Sequence, residues 1–269
     1  MSDVKKNSTI ADDSKPVVGR IYDYFLGGNH NFEIDRIFAK RIVEAIPMLP
    51  KMVRMGRWFM SETVRTLASE GYRQFLDFAS GLPLQDHIHQ ITPEGTAVIY
   101  SDVDPITVEL SKKIIGNTPN VAYTQCDAIT PEVILDSDLP SKIFASDQKT
   151  AIGMTGVSFY LEDEALRHSL EALYRWAKKG DRLYIFDAEY PEETDALKRM
   201  LVVAKEMNQP FHWHSRETLE RLAGDWVPRP PGSAYLEEWL NIKGTSLSFF
   251  KEEKELLSGS LFGVIFEKQ

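Results

Sequence analysis

Cysteine is nearly missing from these 269 residues: Cys126 stands alone. No internal disulfide can form, and a reducing cytoplasm is the expected setting. Long apolar runs are missing too. Nothing approaches the ~20 residues that a membrane-spanning helix needs, and the opening MSDVKKNSTIADDSK lacks the apolar centre of a secretory signal. Positive charge is in deficit, with 31 Lys and Arg against 40 Asp and Glu and a formal net charge of −9. That balance argues against nucleic-acid and membrane partners while leaving room for a local basic pocket.

What remains is a globular composition, 43% hydrophobic and 26% charged, long enough for one full core with an added cap. Residues 1–15 read as a disordered tail, 16–72 as an N-terminal arm and helical cap, and 73–269 as the main domain. In the arm, Tyr22, Tyr24 and Phe25 crowd against Gly27-Gly28-Asn29 and Asn31-Phe32. Aromatics beside paired glycines mark a segment that packs against something and bends sharply. Apolar residues at helical spacing then run over 34–45 and again over 51–70, stopped by Pro47 and Gly71. Arg54 and Arg57 lie one turn apart on the second helix, where a solvated face is the simpler account than carboxylate binding.

The main domain opens with QFLDFASGLP over 74–83. Phe75, Leu76, Phe78 and Ala79 suit a strand buried on both faces of a parallel sheet. Further strands are expected over 97–101, 121–125, 151–155, 182–186 and 260–267, with helical stretches between the earlier ones. This alternation predicts an α/β, doubly wound, mostly parallel sheet. Acidic or small residues end each of the first five strands, which is where such sheets bind ligands. In the first turn, Ala79, Ser80 and Gly81 let a backbone approach a ligand closely, and Asp77 sits just inside the strand end.

A dinucleotide would require the fuller GxGxxG turn to pass the pyrophosphate, and this turn offers only Gly81. A nucleoside without phosphate requires less. Asp102 follows Asp77 by 25 residues, close to the spacing at which a carboxylate reaches both ribose hydroxyls, while Asp104 caps the next helix with Pro105 at its first position. S-adenosylmethionine fits these groups: Asp102 for the ribose, Asp127 for the adenine amino group and the Asp77 turn for the amino-acid end. Val103, Ala128 and the pair Thr155-Gly156 adjoin the same strand ends and belong to the expected cofactor wall.

The segments LDFASGLP, VIYSDVDP, CDA and the closing LFGVIFEK resemble the class I, Rossmann-like S-adenosylmethionine-dependent methyltransferases. More narrowly, RIYDYFLGGNHNFEIDR together with LDFASGLP is similar to a mainly actinobacterial family of S-adenosyl methyltransferases, formerly a domain of unknown function. The resemblance implies a seven-stranded sheet whose C-terminal strand, 260–267, is antiparallel. It also implies that Tyr22, Gly27 and Asn31, in an arm over 22–32, close on the cofactor. Two departures stand out. Ala79 replaces a glycine, which suits a negative φ, and Ser158 replaces a histidine carried by many relatives after the fourth strand, so no general base is inherited.

The expected reaction is in-line methyl transfer to a small-molecule acceptor, which asks the protein chiefly to align and to exclude water. Tyr24, His30, Asp187, Glu189 and His214 are the candidates for a base or a substrate contact. Phe211, Trp213, Trp226, Tyr235 and Trp239 pack the C-terminal edge or, with Tyr22 and Tyr24, line an apolar pocket. Two other readings stand beside this one: a cofactor-binding sensor or scaffold without turnover, and an NAD(P)-dependent oxidoreductase. The Tyr174-x-x-x-Lys178 spacing that would favour the latter lies on an apolar helix face. The pairs His87/His89 and His212/His214 lack the third ligand a metal site needs, so no metal is expected.

Overall fold

A computed structural model describes residues 15–83, 86–242, 244–245 and 248–269. Three helices come first, α1 (Val18–Phe25), α2 (Glu33–Ala45) and α3 (Leu49–Ser69). Strand and helix then alternate: β1 (Gln74–Asp77), α4 (Ile88–Ile91), β2 (Ala97–Asp102), α5 (Pro105–Ile115) and β3 (Val121–Gln125). The short α6 (Glu132–Leu135) and α7 (Leu139–Ile143) lead to β4 (Thr150–Thr155), α8 (Asp163–Trp176) and β5 (Arg182–Glu189). Next come α9 (Asp195–Glu206), α10 (Arg216–Leu222), β6 (Val227–Pro228), β7 (Ala234–Tyr235), α11 (Leu236–Trp239), α12 (Lys251–Leu257) and β8 (Ser260–Glu267).

The sheet runs β3-β2-β1-β4-β5-β8-β6, with β7 pairing on β8 as well. β1 to β5 are parallel, and β8 is antiparallel to β5, with Leu183 opposite Phe266. Strand order therefore reverses between β1 and β4, and the crevice outside their carboxyl ends is the ligand position of an open α/β sheet. Among the described residues eight strands form, against the seven that the resemblance implies. The extra pairing comes from β6 and β7, two residues each, flanking a stretch whose prolines at 230 and 231 have no N–H to extend a ladder.

Alternate residues of the sheet feed two layers. Leu76, Ile99, Ile152, Leu183 and Val264 meet Leu166, Leu170 and Leu173 of α8 on one face. Phe75, Val98, Ala151 and Tyr184 meet Val64 and Leu67 of α3 and Val108 of α5 on the other. Capping follows the expected chemistry: the Asp104 carboxylate accepts from the amides of Ile106 and Thr107, and Ser215 Oγ accepts from Thr218.

Two local expectations change. The aromatic part of the arm is helical, because Ile21 and Phe25 of α1 bury one face against Ala39 of α2, and the bend waits until Gly27, at φ +80°. Between β1 and β2 the sequence reads as a helix over 84–91; among the described residues it spans only Ile88–Ile91, and positions 84 and 85 lie outside them. No helix of the described residues is long and apolar enough to cross a membrane.

Candidate active site

A cavity of about 620 Å³ opens at the carboxyl ends of β1 to β5, between the sheet and the helices of the arm. Its walls differ in chemistry, and the strand order decides how. The β1, β2 and β3 ends contribute Asp77, Asp102 and Asp127, whereas the β4 and β5 side contributes Phe159, Phe186 and, through later loops, Phe211 and Trp213.

Each carboxylate is held differently. Asp102 accepts hydrogen bonds from the amides of Gly81 at 3.1 Å and Asp104 at 3.0 Å, so one side chain ties the first turn to the start of α5. Burial raises it to about 6, against the pull of those amides. Asp127 Oδ1 accepts from the Ile129 amide at 3.0 Å. Asp77 is deeper. Its Oδ1 is buried without a hydrogen-bond partner among the described residues, and burial pushes its pKa up to about 7, with Arg57 pulling the other way. A Cβ added to Gly153 of β4 would lie 2.4 Å from that oxygen and 2.6 Å from the Tyr184 hydroxyl. Gly153 therefore exists to make room for the carboxyl group, which no alanine would leave in place.

The turn itself departs from expectation. Ala79 lies at φ +51°, in the left-handed region, together with Gly81 at +63°. The geometry that carries the chain over the site is kept even though Ala79 bears a Cβ, at about 1–2 kcal/mol of backbone strain.

Of the expected cofactor residues, Tyr22, Asp77, Ala79, Ser80, Gly81, Asp102, Val103, Asp127, Ala128, Thr155 and Gly156 all line this one cavity. Gly27 and Asn31 do not. The Asn31 amide donates to Asp23 Oδ2 at 2.6 Å and to the Gly28 carbonyl, and a Cβ on Gly28 would overlap Asp23 at 2.0 Å. Beside them, Asp35 accepts from Arg20 Nε and from the amides of Val17 and Phe32. Much of the signature RIYDYFLGGNHNFEIDR thus folds the arm, and Tyr22 is the member of it that faces the cavity beside Ile21 and Phe25.

None of the five candidate bases reaches the cavity wall. Tyr24 lines a separate groove with Lys40 and Glu44. His30 is half exposed near Asp23, and Glu189 accepts from Arg216 Nε at 2.9 Å. Asp187 and His214 are buried together, with His214 Nδ1 2.9 Å from Asp187 Oδ2; burial raises Asp187. Ser158 is buried, donates to the Phe186 carbonyl at 3.2 Å and is not part of the wall either.

Arg54 and Arg57 part company: Arg54 is exposed, whereas Arg57 lines the cavity and donates to His87 Nδ1 at 2.9 Å. Burial holds His87 well below the ordinary imidazole range, so it is a neutral acceptor. A signal for Arg57 was present. Met52, Val53, Gly56, Arg57 and Met60 form one stripe at helical spacing, and Arg57 is the charge set in that apolar stripe. Tyr160 and Tyr190, also on the wall, carried no such mark. Among the described residues no group of three or more His, Cys, Asp or Glu is placed to hold a metal.

Known proteins share this fold. A protein of Thermobifida fusca YX, a candidate methyltransferase of known crystal structure, is 26% identical and superposes with TM-score 0.84, covering 99% of this chain and all of that one. A DUF574 family protein from Streptomyces avermitilis MA-4680 is 23% identical, with TM-score 0.83, over 96% of this chain and all of its own. A geranyl diphosphate methyltransferase in complex with GPP and sinefungin shares the fold alone, at TM-score 0.50 and 12% identity over 78% of this chain and 77% of that one. No curated protein matches the sequence. The chain is thus a Rossmann-like enzyme that uses S-adenosylmethionine as methyl donor. It belongs to the S-adenosyl methyltransferase family, whose model matches residues 4–260.

Proposed function

We propose that the enzyme transfers a methyl group, by in-line displacement, to a small molecule enclosed in the cavity beside the cofactor. One observation carries this reading: a single recessed cavity of about 620 Å³ runs from the three carboxylates of the β1–β3 edge to the aromatic wall beyond β5. A recess of that size suits a cofactor and a small acceptor, whereas a macromolecular acceptor would call for an extended groove.

The residues present suit the donor. The unpartnered Asp77 Oδ1 is the acceptor that the ammonium end of a methionine moiety would satisfy, directly or through water. Arg57 stands nearby as the cation for the carboxylate. Asp102 and Asp127 keep their roles toward ribose and adenine, between Val103 and Ala128. Ser80, Gly81 and Ala79 supply the close backbone approach, with Thr155 and Gly156 across the switch point. When bound, the donor supplies an already activated methyl group. The chain's task is then to orient two ligands and keep water out, and α1 with Tyr22 is the cover.

Calorimetry with S-adenosylhomocysteine tests the site. Asp102→Ala and Arg57→Ala are each expected to weaken binding about tenfold or more, the loss of a charge-assisted hydrogen bond. Undiminished binding by Asp102→Ala would remove the ribose assignment.

A further inference from the structure

The β4–β5 side of the cavity has a composition that bears on the acceptor. Phe211 and Trp213 stack with centroids 4.8 Å apart and planes 12° from parallel, and Tyr160 stacks on Phe211 at 5.0 Å and 30°. Tyr190 meets Trp213 edge to face at 4.7 Å. The segment that carries this stack is pinned. The His212 amide donates to the Phe159 carbonyl at 2.8 Å, and the buried His214–Asp187 pair ties the next residue to β5. A wall so fixed is preorganised for a flat ligand.

Its charge is equally definite. The charged side chains of the cavity wall, Arg57, Asp77, Asp102, Asp104 and Asp127, come from α3 or from the β1–β3 edge, as does the neutral His87. From β4, β5 and the loops beyond them, the described lining residues include no carboxylate, histidine, lysine or arginine. The polar residues lining it there are Thr155, Tyr160, Tyr190 and Gln209. Neither tyrosine hydroxyl makes a hydrogen bond within the described residues, and burial raises both, so each remains a protonated donor. A cationic acceptor would want several ring faces converging on one point, whereas Trp213, Phe211 and Tyr160 lie nearly parallel, at 12° and 30°. A phosphorylated acceptor would meet no cation. A neutral nucleophile would leave two donors without a use.

Resting on the methyltransferase reading above, we propose that this side takes a flat, apolar acceptor as its oxyanion, a phenolate or enolate. The ring stack holds the acceptor, the Tyr160 and Tyr190 hydroxyls donate to its oxygen, and the chain supplies no general base. The acceptor's proton leaves to solvent before transfer. Its oxygen lone pair then forms the O–CH3 bond as the donor's S–CH3 bond breaks with the electron pair staying on sulfur, so no proton is released in the step itself. The two tyrosines act as in an oxyanion site, favouring the anion at a place where a bare apolar pocket would favour the neutral form.

The test uses ring-substituted 7-hydroxycoumarins of graded acidity, which are flat and whose absorption separates phenol from phenolate. Without cofactor, titration with the full chain is expected to show the bound coumarin's pKa lowered by about one unit, a tenfold preference for the anion. The shift should disappear in Tyr160→Phe/Tyr190→Phe, a pair of substitutions that keeps the stack. With S-adenosylmethionine, the pH midpoint of kcat/KM should move along the series with each coumarin's own pKa. A bound pKa that rises, no binding, or a midpoint fixed across the series would overturn the inference. Failure of S-adenosylhomocysteine to bind in calorimetry would instead strike the underlying reading, because the spectral titration needs no cofactor.

Discussion

At the scale of single residues the site is governed by what burial does to carboxyl groups. Asp77, raised by burial to about 7, takes up a proton more readily in the folded chain than when unfolded. The sign follows from linkage. Such a group favours the fold most below its unfolded pKa, and that contribution is lost as pH rises through 7. In the cofactor-free protein Asp77→Asn should therefore raise stability at pH 8 by roughly 2 kcal/mol or more, with the gain shrinking toward pH 4, where both side chains are neutral. Denaturant melts at the two pH values read this directly, and a gain equal at both would rule out burial as the cause. The same variant should bind S-adenosylhomocysteine poorly, so stability and function oppose each other at this position. Ala79 presents the converse case. Relief of its left-handed backbone by Ala79→Gly exceeds the added freedom of the unfolded chain by up to about 1 kcal/mol, so thermal melting should shift upward by about 1–3 °C. Gly153→Ala should do the reverse, costing about 1–3 kcal/mol and displacing the Asp77 carboxyl group.

At the scale of elements the arm is the part whose role is most open to experiment. α1 lies on the glycine turn itself: a Cβ added to Gly19 would come 3.7 Å from Thr107 Oγ1 and 3.9 Å from the Gly81 Cα. What keeps α1 there is not its own helical strength, since eight residues are too few to persist alone. It is the buried Arg20–Asp35 pair, at 2.8 Å and almost free of solvent, with the Asp23–Asn31 bond beside it. Arg20→Ala leaves a buried carboxylate unpaired and should cost about 3–5 kcal/mol in arm docking. Removal of residues 1–32 is expected to weaken cofactor affinity while the sheet stays folded. Hydrogen exchange would locate the loosening in α1 and α2, and calorimetry would give the affinity; unchanged affinity refutes the cover.

At the scale of the whole molecule, the roles proposed for Asp77 and Asp102, two raised carboxyl groups toward one cationic ligand, would make cofactor binding a proton-linked event. Asp102 at about 6 and Asp77 at about 7 must ionise to meet it, so affinity should climb from pH 5 to pH 8 and binding at pH 6.5 should release protons. Calorimetry in buffers of different ionisation enthalpy counts them, and a pH-independent affinity would contradict both assignments. Much of this architecture was open to reading in one dimension. Strands buried on both faces declare themselves by continuous apolar runs, an Asp-x-Asp-Pro tip declares a cap, and carboxylates at strand ends share one edge because parallel strands all point the same way. For that reason the expected cofactor residues of the β1–β4 ends line one cavity. Other features depend on packing between segments far apart in sequence. The arm motif reads as ligand contacts, yet Asn31 and Gly28 serve Asp23. Arg57 leaves the solvent because α3 lies against the sheet. The five candidate bases fall outside the wall, while Tyr160 and Tyr190 fall on it. A residue's chemistry, and the face of the helix or strand it occupies, are local properties that sequence determines. Whether that face looks into a cavity, a core or water is set by which distant surfaces bury one another, and only the tertiary structure decided it.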